Sequence, residues 1–516
     1  MHSVFKKSIS VICVLITLFG MLAMPAAAAT TYDNDLPIVY LVGAIAKVYN
    51  KSGKQVWPVK KGIDDILLDN RNELLSAFSS SLMTSDWNVY GDALNTVISK
   101  YYSAATLDKN GNAKNGTAIK KSAAPQVKKS DYGLSDYRFN YDPRLDLWET
   151  AAELSDYINA VLKATGKKKI NLVGRCMGAS LASAYLCRYG ASKVDTVIYL
   201  ASAAKGSTVC GELFSGRLDF NSDSINNYAS EYMGDDEISE LLSGIVNITY
   251  SLNMLGMGTD MVSDIFEKFS EEAFPELLLS TYATMPSYWA MVGEEYYEDA
   301  KEFVFGGREE EYAGLIKKID NYHNKVMIPL ESKLKQFKKN GLKVAVIAKY
   351  NMPFLPILES HSVQGDGTVN LEDISFGATG AKLGETLSAD YINSVKDKGK
   401  SKYISDDLIV DASTCLFPNN TWFIRDLAHG NTPSVVNKLM LSILRSKSQA
   451  TVNSFEEYPQ FTAYNSETKA LDPITGPINS TTTIPQTSPL YKLITLFTSM
   501  AKVIKSLFTL IFNGDN

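Results

Sequence analysis

Apolar and polar positions along this chain follow two periods. Short, nearly continuous apolar runs cover Pro37–Gly43, Ile170–Gly174, Val194–Ser202 and Gly341–Tyr350, with another opening at Thr421; strands buried on both faces of a parallel sheet carry this pattern. Helical spacing lies between them. An amphipathic helix is predicted over Ala93–Tyr102. A second follows the Asp142-Pro143-Arg144 turn and runs to Gly166, with Glu149, Glu153 and Asp156 on its solvated face. A strand ending near Tyr141 precedes that turn, so residues 135–202 read strand, helix, strand, helix, strand. That alternation predicts an α/β fold with a mostly parallel sheet.

Two stretches break the alternation. From about Ser207 to Lys339 the strand signals stop and the chain becomes helical, with Met-rich and aromatic segments; this is either a lid over a site or a helical subdomain with its own core. Beyond Ser446 the chain turns linker-like, with Pro473, Pro477 and a Ser/Thr-rich stretch. The tail differs again: at about 100° per residue, Lys492, Lys502, Lys505 and several Ser and Thr share one arc of roughly 140°, and nearly all else is apolar. Such a helix suits a membrane interface or docks on the protein's own core.

The N-terminus has Lys6 and Lys7, an apolar run from Ile9 to Leu22 and Ala26–Ala29, the layout of a secretory signal with a small-residue cleavage site. A retained anchor is the alternative. The predicted organisation is a signal peptide over 1–29, core over 30–206, helical lid or cap over 207–339, core again over 340–447, linker over 448–488 and an amphipathic helix over 489–513. The mature protein is expected to be secreted or extracytoplasmic, with peripheral membrane contact through the C-terminal helix.

Composition narrows the chemistry. With 516 residues, 45% hydrophobic and 21% charged, the chain can bury a large core. A net charge of −6 argues against a nucleic-acid partner, because no domain-wide basic surface neutralises phosphates. Four cysteines remain after the leader, Cys176, Cys187, Cys210 and Cys415; they could pair in three ways, but so few in so long a chain are not a disulfide scaffold. Asp108, Asn110 and Asn112 have the spacing of a calcium loop, yet Ala113 stands where such a loop needs Gly and Ile119 where it needs Glu. An exposed turn is expected there, and neither a metal nor a cofactor.

The candidate chemistry sits at Gly174-Arg175-Cys176-Met177-Gly178, between an apolar strand and a helix rich in small residues. This is the G-x-S-x-G nucleophile elbow with a thiol in place of the hydroxyl. The central residue of such a turn needs positive φ, and Gly174 and Gly178 relieve the crowding between strand and helix. The helix N-terminus is expected to favour a thiolate and an oxyanion, with Arg175 lowering the thiol pKa further. The loop after the first strand would supply an oxyanion donor at Ala44 or Ile45. Asp366, between Gly365 and Gly367 just after a strand, is placed as an acid that reaches a histidine without an intervening helix. Only four histidines exist. His429, on a strand-to-helix loop, is the leading base; His361 and His323 are rivals.

The order Cys176, Asp366, His429 is that of α/β hydrolases. The strand Pro37–Gly43, the segment Phe139–Asp146, the elbow, Gly365–Val369 and a late histidine before a short helix resemble the lecithin:cholesterol acyltransferase and phospholipid acyltransferase family. That resemblance implies the α/β-hydrolase fold, Cys176 as nucleophile, Asp366 as acid, His429 as base, and Met177 and Ala44 N–H groups as the oxyanion hole. It also implies acyl transfer or hydrolysis on a lipid or ester substrate. Two features depart from the pattern: Cys176 replaces Ser, and Tyr141-Asp142-Pro143-Arg144 replaces Tyr-Asp-Trp-Arg. The cysteine elbow is similar to that of the polyhydroxyalkanoate synthases, which transfer acyl groups in the cytoplasm. The other reading is a catalytically inactive protein of this fold that binds envelope or lipid.

Overall fold

The computed structural model describes residues 35–61, 66, 69–84, 86–127, 131–218, 271, 273–354 and 358–476. The expected signal peptide, the Met-rich segment at 250–266 and the C-terminal amphipathic helix lie outside the described residues. One sheet dominates. Its strands are β1 (Ile38–Leu41), β2 (Tyr137–Phe139), β3 (Ile170–Cys176), β4 (Val194–Ser202), β5 (Lys343–Tyr350), β6 (Thr421–Arg425), β7 (Phe461–Asn465) and β8 (Ala470–Pro473). Their order across the sheet is β8-β7-β6-β5-β4-β3-β1-β2. Every pair is parallel except β7 with β8. The central strands are buried along nearly their whole length, which is why they read as unbroken apolar runs.

Local chemistry explains the elements next to the site. Helix α1 (Leu147–Thr165) starts where the Asp146 side chain accepts the Trp148 N–H at 2.9 Å and stops at Gly166 in a left-handed conformation, the usual pairing of an Asp cap with a glycine terminator. Glu149, Glu153 and Asp156 are exposed as expected. Helix α2 (Met177–Tyr189) leaves the elbow and is buried from Met177 through Leu186, so its run of small residues packs on sheet and neighbours alike. Leu41 pairs with Gly174 and Gly174 with Tyr199. The end of β1 is therefore level with the elbow, and at the carboxyl ends of parallel strands is where such sheets build sites.

The described part of the segment after β4 is helical, as its pattern implies. Its last portion is not set apart from the core: Tyr322 donates from its hydroxyl to the Ser180 carbonyl at 3.2 Å, and Lys333 to the Cys187 carbonyl at 3.1 Å, both on α2. These residues belong to the layer flanking the sheet, so the boundary drawn at 339 is too late. The linker expected over 448–488 is also corrected. Residues 461–465 and 470–473 are strands that extend the main sheet; Phe461, Thr462 and Tyr464 favour a pleated surface, and the Pro- and Ser-rich surroundings hide so short a pair.

Candidate active site

The elbow is built on backbone strain. Cys176 has φ 54° and ψ −129°, a conformation costly for a residue with a Cβ. Both glycines are sterically required. A Cβ on Gly174 would lie 2.6 Å from the Ala179 Cα, and one on Gly178 would lie 2.4 Å from the Leu41 carbonyl oxygen. The turn thus brings α2 onto the end of β1. The loop after β1 touches the nucleophile as well, since a Cβ on Gly43 would stand 3.2 Å from the Cys176 Cβ and 3.4 Å from its Sγ. In that loop the Ile45 N–H donates to the Gly43 carbonyl at 2.7 Å, which leaves Ala44 rather than Ile45 as the candidate donor. The Tyr141 hydroxyl pins the loop by donating to the Val42 carbonyl at 2.8 Å.

The acid and the base meet. Nδ1 of His429 lies 2.6 Å from Oδ2 of Asp366, and both residues are buried. The other carboxylate oxygen accepts the Thr368 and Val369 N–H groups at 3.1 and 2.9 Å, so the acid is oriented from two sides. The backbone repeats the contact, with the His429 N–H donating to the Asp366 carbonyl at 3.0 Å. The glycines of this loop have distinct tasks: Gly367 has φ +84°, and a Cβ on Gly365 would lie 2.5 Å from the Val369 carbonyl oxygen. With Nδ1 on the carboxylate, Nε2 is the nitrogen left to act as base.

The elbow and the histidine loop are tied together one residue from each centre: a terminal guanidinium nitrogen of Arg175 donates to the Gly430 carbonyl at 2.5 Å. The structure thus joins Asp366 to His429, ties the His429 loop to the elbow strand through Arg175 and Gly430, and packs the loop after β1 against Cys176. The rival histidines go elsewhere. His361 has its Nδ1 3.0 Å from the Leu358 carbonyl, and the His323 ring stacks on Tyr297 at 3.7 Å between centroids.

One expectation fails. Burial pushes the Cys176 thiol well above its ordinary pKa; the Met177 N–H and Arg175 pull down without overcoming it, and Asp366 adds to the rise. Cys176 is only 2% exposed. Desolvation of a buried anion thus opposes the thiolate that a helix end alone would favour. All four cysteines described are free. The calcium-like turn is closed by a side chain that sequence spacing does not reveal: Lys318 donates to the Gly111 carbonyl at 3.0 Å and to Asn112 Oδ1 at 2.6 Å. Sequence reasoning also missed Lys349 and Tyr288. Lys349 follows the apolar run Val344–Ala348 inside a strand, where a lysine is itself a signal, and Tyr288 lies in a helical turn (Pro286–Trp289) far along the chain. Both are buried and interact electrostatically with Cys176.

A family model described as the alpha/beta hydrolase fold matches residues 105–218, which include β2, α1, the elbow and β4. The chain has the α/β-hydrolase fold. Similar solved structures include the meta-cleavage product hydrolase CumD of Pseudomonas fluorescens IP01, at 14% identity over 60% of this chain and 80% of that one, TM-score 0.15. An esterase of Exiguobacterium antarcticum is similar at 14% identity over 55% of this chain and 92% of that one, TM-score 0.14. No characterised protein matches the sequence.

Proposed function

We propose that this protein is an exported enzyme that transfers or hydrolyses the acyl group of a lipid or ester, using a Cys176-His429-Asp366 triad. The observation that carries the proposal is the 2.6 Å His429–Asp366 pair held to a strained elbow through Arg175 and Gly430. His429 Nε2 takes the proton of the Cys176 thiol as Sγ attacks the ester carbonyl carbon. The carbonyl π pair moves to oxygen, where the Met177 and Ala44 N–H groups stabilise it. Collapse expels the alcohol, which takes the proton from His429 and leaves a thioester on Cys176. Water or a second alcohol, deprotonated by the same ring, then releases the acyl group. Because burial raises the thiol pKa, the base has to supply more of the activation than it would for an exposed thiol. Its likeness to the lecithin:cholesterol acyltransferase family supports a lipid acyl donor. Contact with the membrane through residues 489–513 is part of the proposal; liposome co-sedimentation of protein truncated after Ser488 tests it, and undiminished binding removes that role.

A panel of chromogenic esters of increasing chain length tests the chemistry. Turnover that is abolished by alkylation and by Cys176→Ala supports it. One observation favours the second reading, an inactive protein of this fold that binds envelope or lipid: the nucleophile is 2% exposed and its thiol is hard to ionise. Purified full-length protein that turns over no ester or thioester decides for that reading.

A further inference from the structure

The loop that carries His429 is gripped by two cations, and we propose that Lys349, assisted by Arg175, is the positioning residue of that histidine. The inference rests on His429 as the base of the proposed site. Lys349 Nζ donates to the carbonyls of Ala428, His429 and Asn431 at 3.2, 2.8 and 2.5 Å, and Arg175 takes the one between, Gly430, at 2.5 Å. Four successive carbonyls thus turn inward on two positive charges. An ammonium has three N–H donors, and all three of these are spent on this loop.

The placement is costly enough to require a task. Lys349 is fully buried in β5 behind the apolar run Val344–Ala348, where a buried charge is tolerated only with its hydrogen bonds made. Asp366 fixes the ring through Nδ1 and the two cations fix the backbone beneath it, so neither the tilt nor the height of the imidazole is left to the loop. The groups facing the ammonium are Arg175 and Cys176 from β3 and Asp366 from the acid loop. Burial and the like charge of Arg175 bring its pKa down to about 7, while Asp366 and Cys176 act the other way. A neutral amine has two donors for three carbonyls, so the grip slackens as pH rises through neutrality.

The test uses the full chain with Lys349→Met and Lys349→Arg. The first readout is the downfield proton resonance of His429 Nδ1–H, assigned by its loss in His429→Gln. The second is kcat against KM, with pH profile, on the best ester of the panel. Lys349→Met with unchanged melting is expected to lose the resonance and at least about tenfold in kcat, with KM within about twofold, as a misplaced catalytic group does. Lys349→Arg restores part of both and moves the alkaline limb upward. A retained resonance in Lys349→Met, or unchanged kcat, overturns the proposal, as does a lowered melting point with resonance and kcat both intact. Where Lys349→Met fails to fold, Arg175→Gln, which removes the Gly430 bond together with the guanidinium charge beside Cys176 and Lys349, is scored by the same resonance and kcat readouts. If the wild-type protein turns over no ester, the enzyme reading fails, and the resonance alone still decides what Lys349 does.

Discussion

Replacing Gly178 by alanine tests the elbow without knowledge of the substrate. The added methyl would lie 2.4 Å from the Leu41 carbonyl oxygen, 2.8 Å from the Leu41 carbonyl carbon and 2.8 Å from the Val42 oxygen. A carbon–oxygen contact is ordinarily about 3.3 Å or longer, so the closest overlap is about 0.9 Å, and it is against backbone. That backbone cannot easily retreat. Leu41 is paired to Gly174 on one side and Phe139 on the other, and Val42 is held by the Tyr141 hydroxyl. Overpacking of this kind costs about 1–3 kcal/mol. In a helix free of the collision the same change would stabilise by ~0.5–1 kcal/mol, so the sign of the effect is the test. Urea unfolding at neutral pH is expected to show Gly178→Ala less stable by about 1–2 kcal/mol after the two effects combine. Because the shift moves the loop bearing Ala44, ester turnover should fall by up to about 100-fold, the scale of a displacement near 1 Å. A variant as stable as the wild type would refute the close approach of α2 to β1.

Other outcomes follow from the same geometry. His429→Ala should lower kcat by about 10²–10⁴-fold; wild-type turnover in that variant removes the base from the mechanism. Arg144, wholly buried, donates to Asp142 at 2.7 Å and 2.9 Å and to the Ala105 carbonyl at 2.7 Å, so Arg144→Ala strands a buried carboxylate and should cost about 3–5 kcal/mol in urea unfolding; a loss below ~1 kcal/mol contradicts the burial. Burial pushes the Cys210 thiol up to about 12. A raised folded pKa means the native state keeps a proton that the unfolded chain releases, so this contribution is full below the unfolded value of about 8.5 and is lost as pH rises towards 12. The stability gap between wild type and Cys210→Ala should therefore shrink by about 1.4 kcal/mol per pH unit above ~8.5, and a constant gap up to pH 11 rules out a buried thiol.

Most of the frame was legible because its signals are local. Unbroken apolar runs mark β1, β3, β4 and β5, and Asp146 with Gly166 brackets α1, each within a few residues of sequence. The elbow is equally local, since a strand, two glycines each two places from a reactive residue, and small helical residues leave few other conformations. β7 and β8 were missed because two short strands among Pro and Ser gain their stability only from an edge of the sheet that residues far upstream supply.

The chain's own order of residues determined that Cys176 sits at a strained turn and that Asp366 and His429 are carried on loops after strands, because backbone sterics and hydropathy act between near neighbours. Which histidine meets the acid, and whether the sulfur is ionised, were decided only by the folded structure. The His429–Asp366 contact spans 63 residues, and a thiol's charge depends on what surrounds it in space. Lys349 and Arg175 carry the same lesson. Their carbonyl partners at 428–431 are adjacent in the chain, but the two cations reach them from strands β5 and β3, and only the register of the sheet brings them to the same loop.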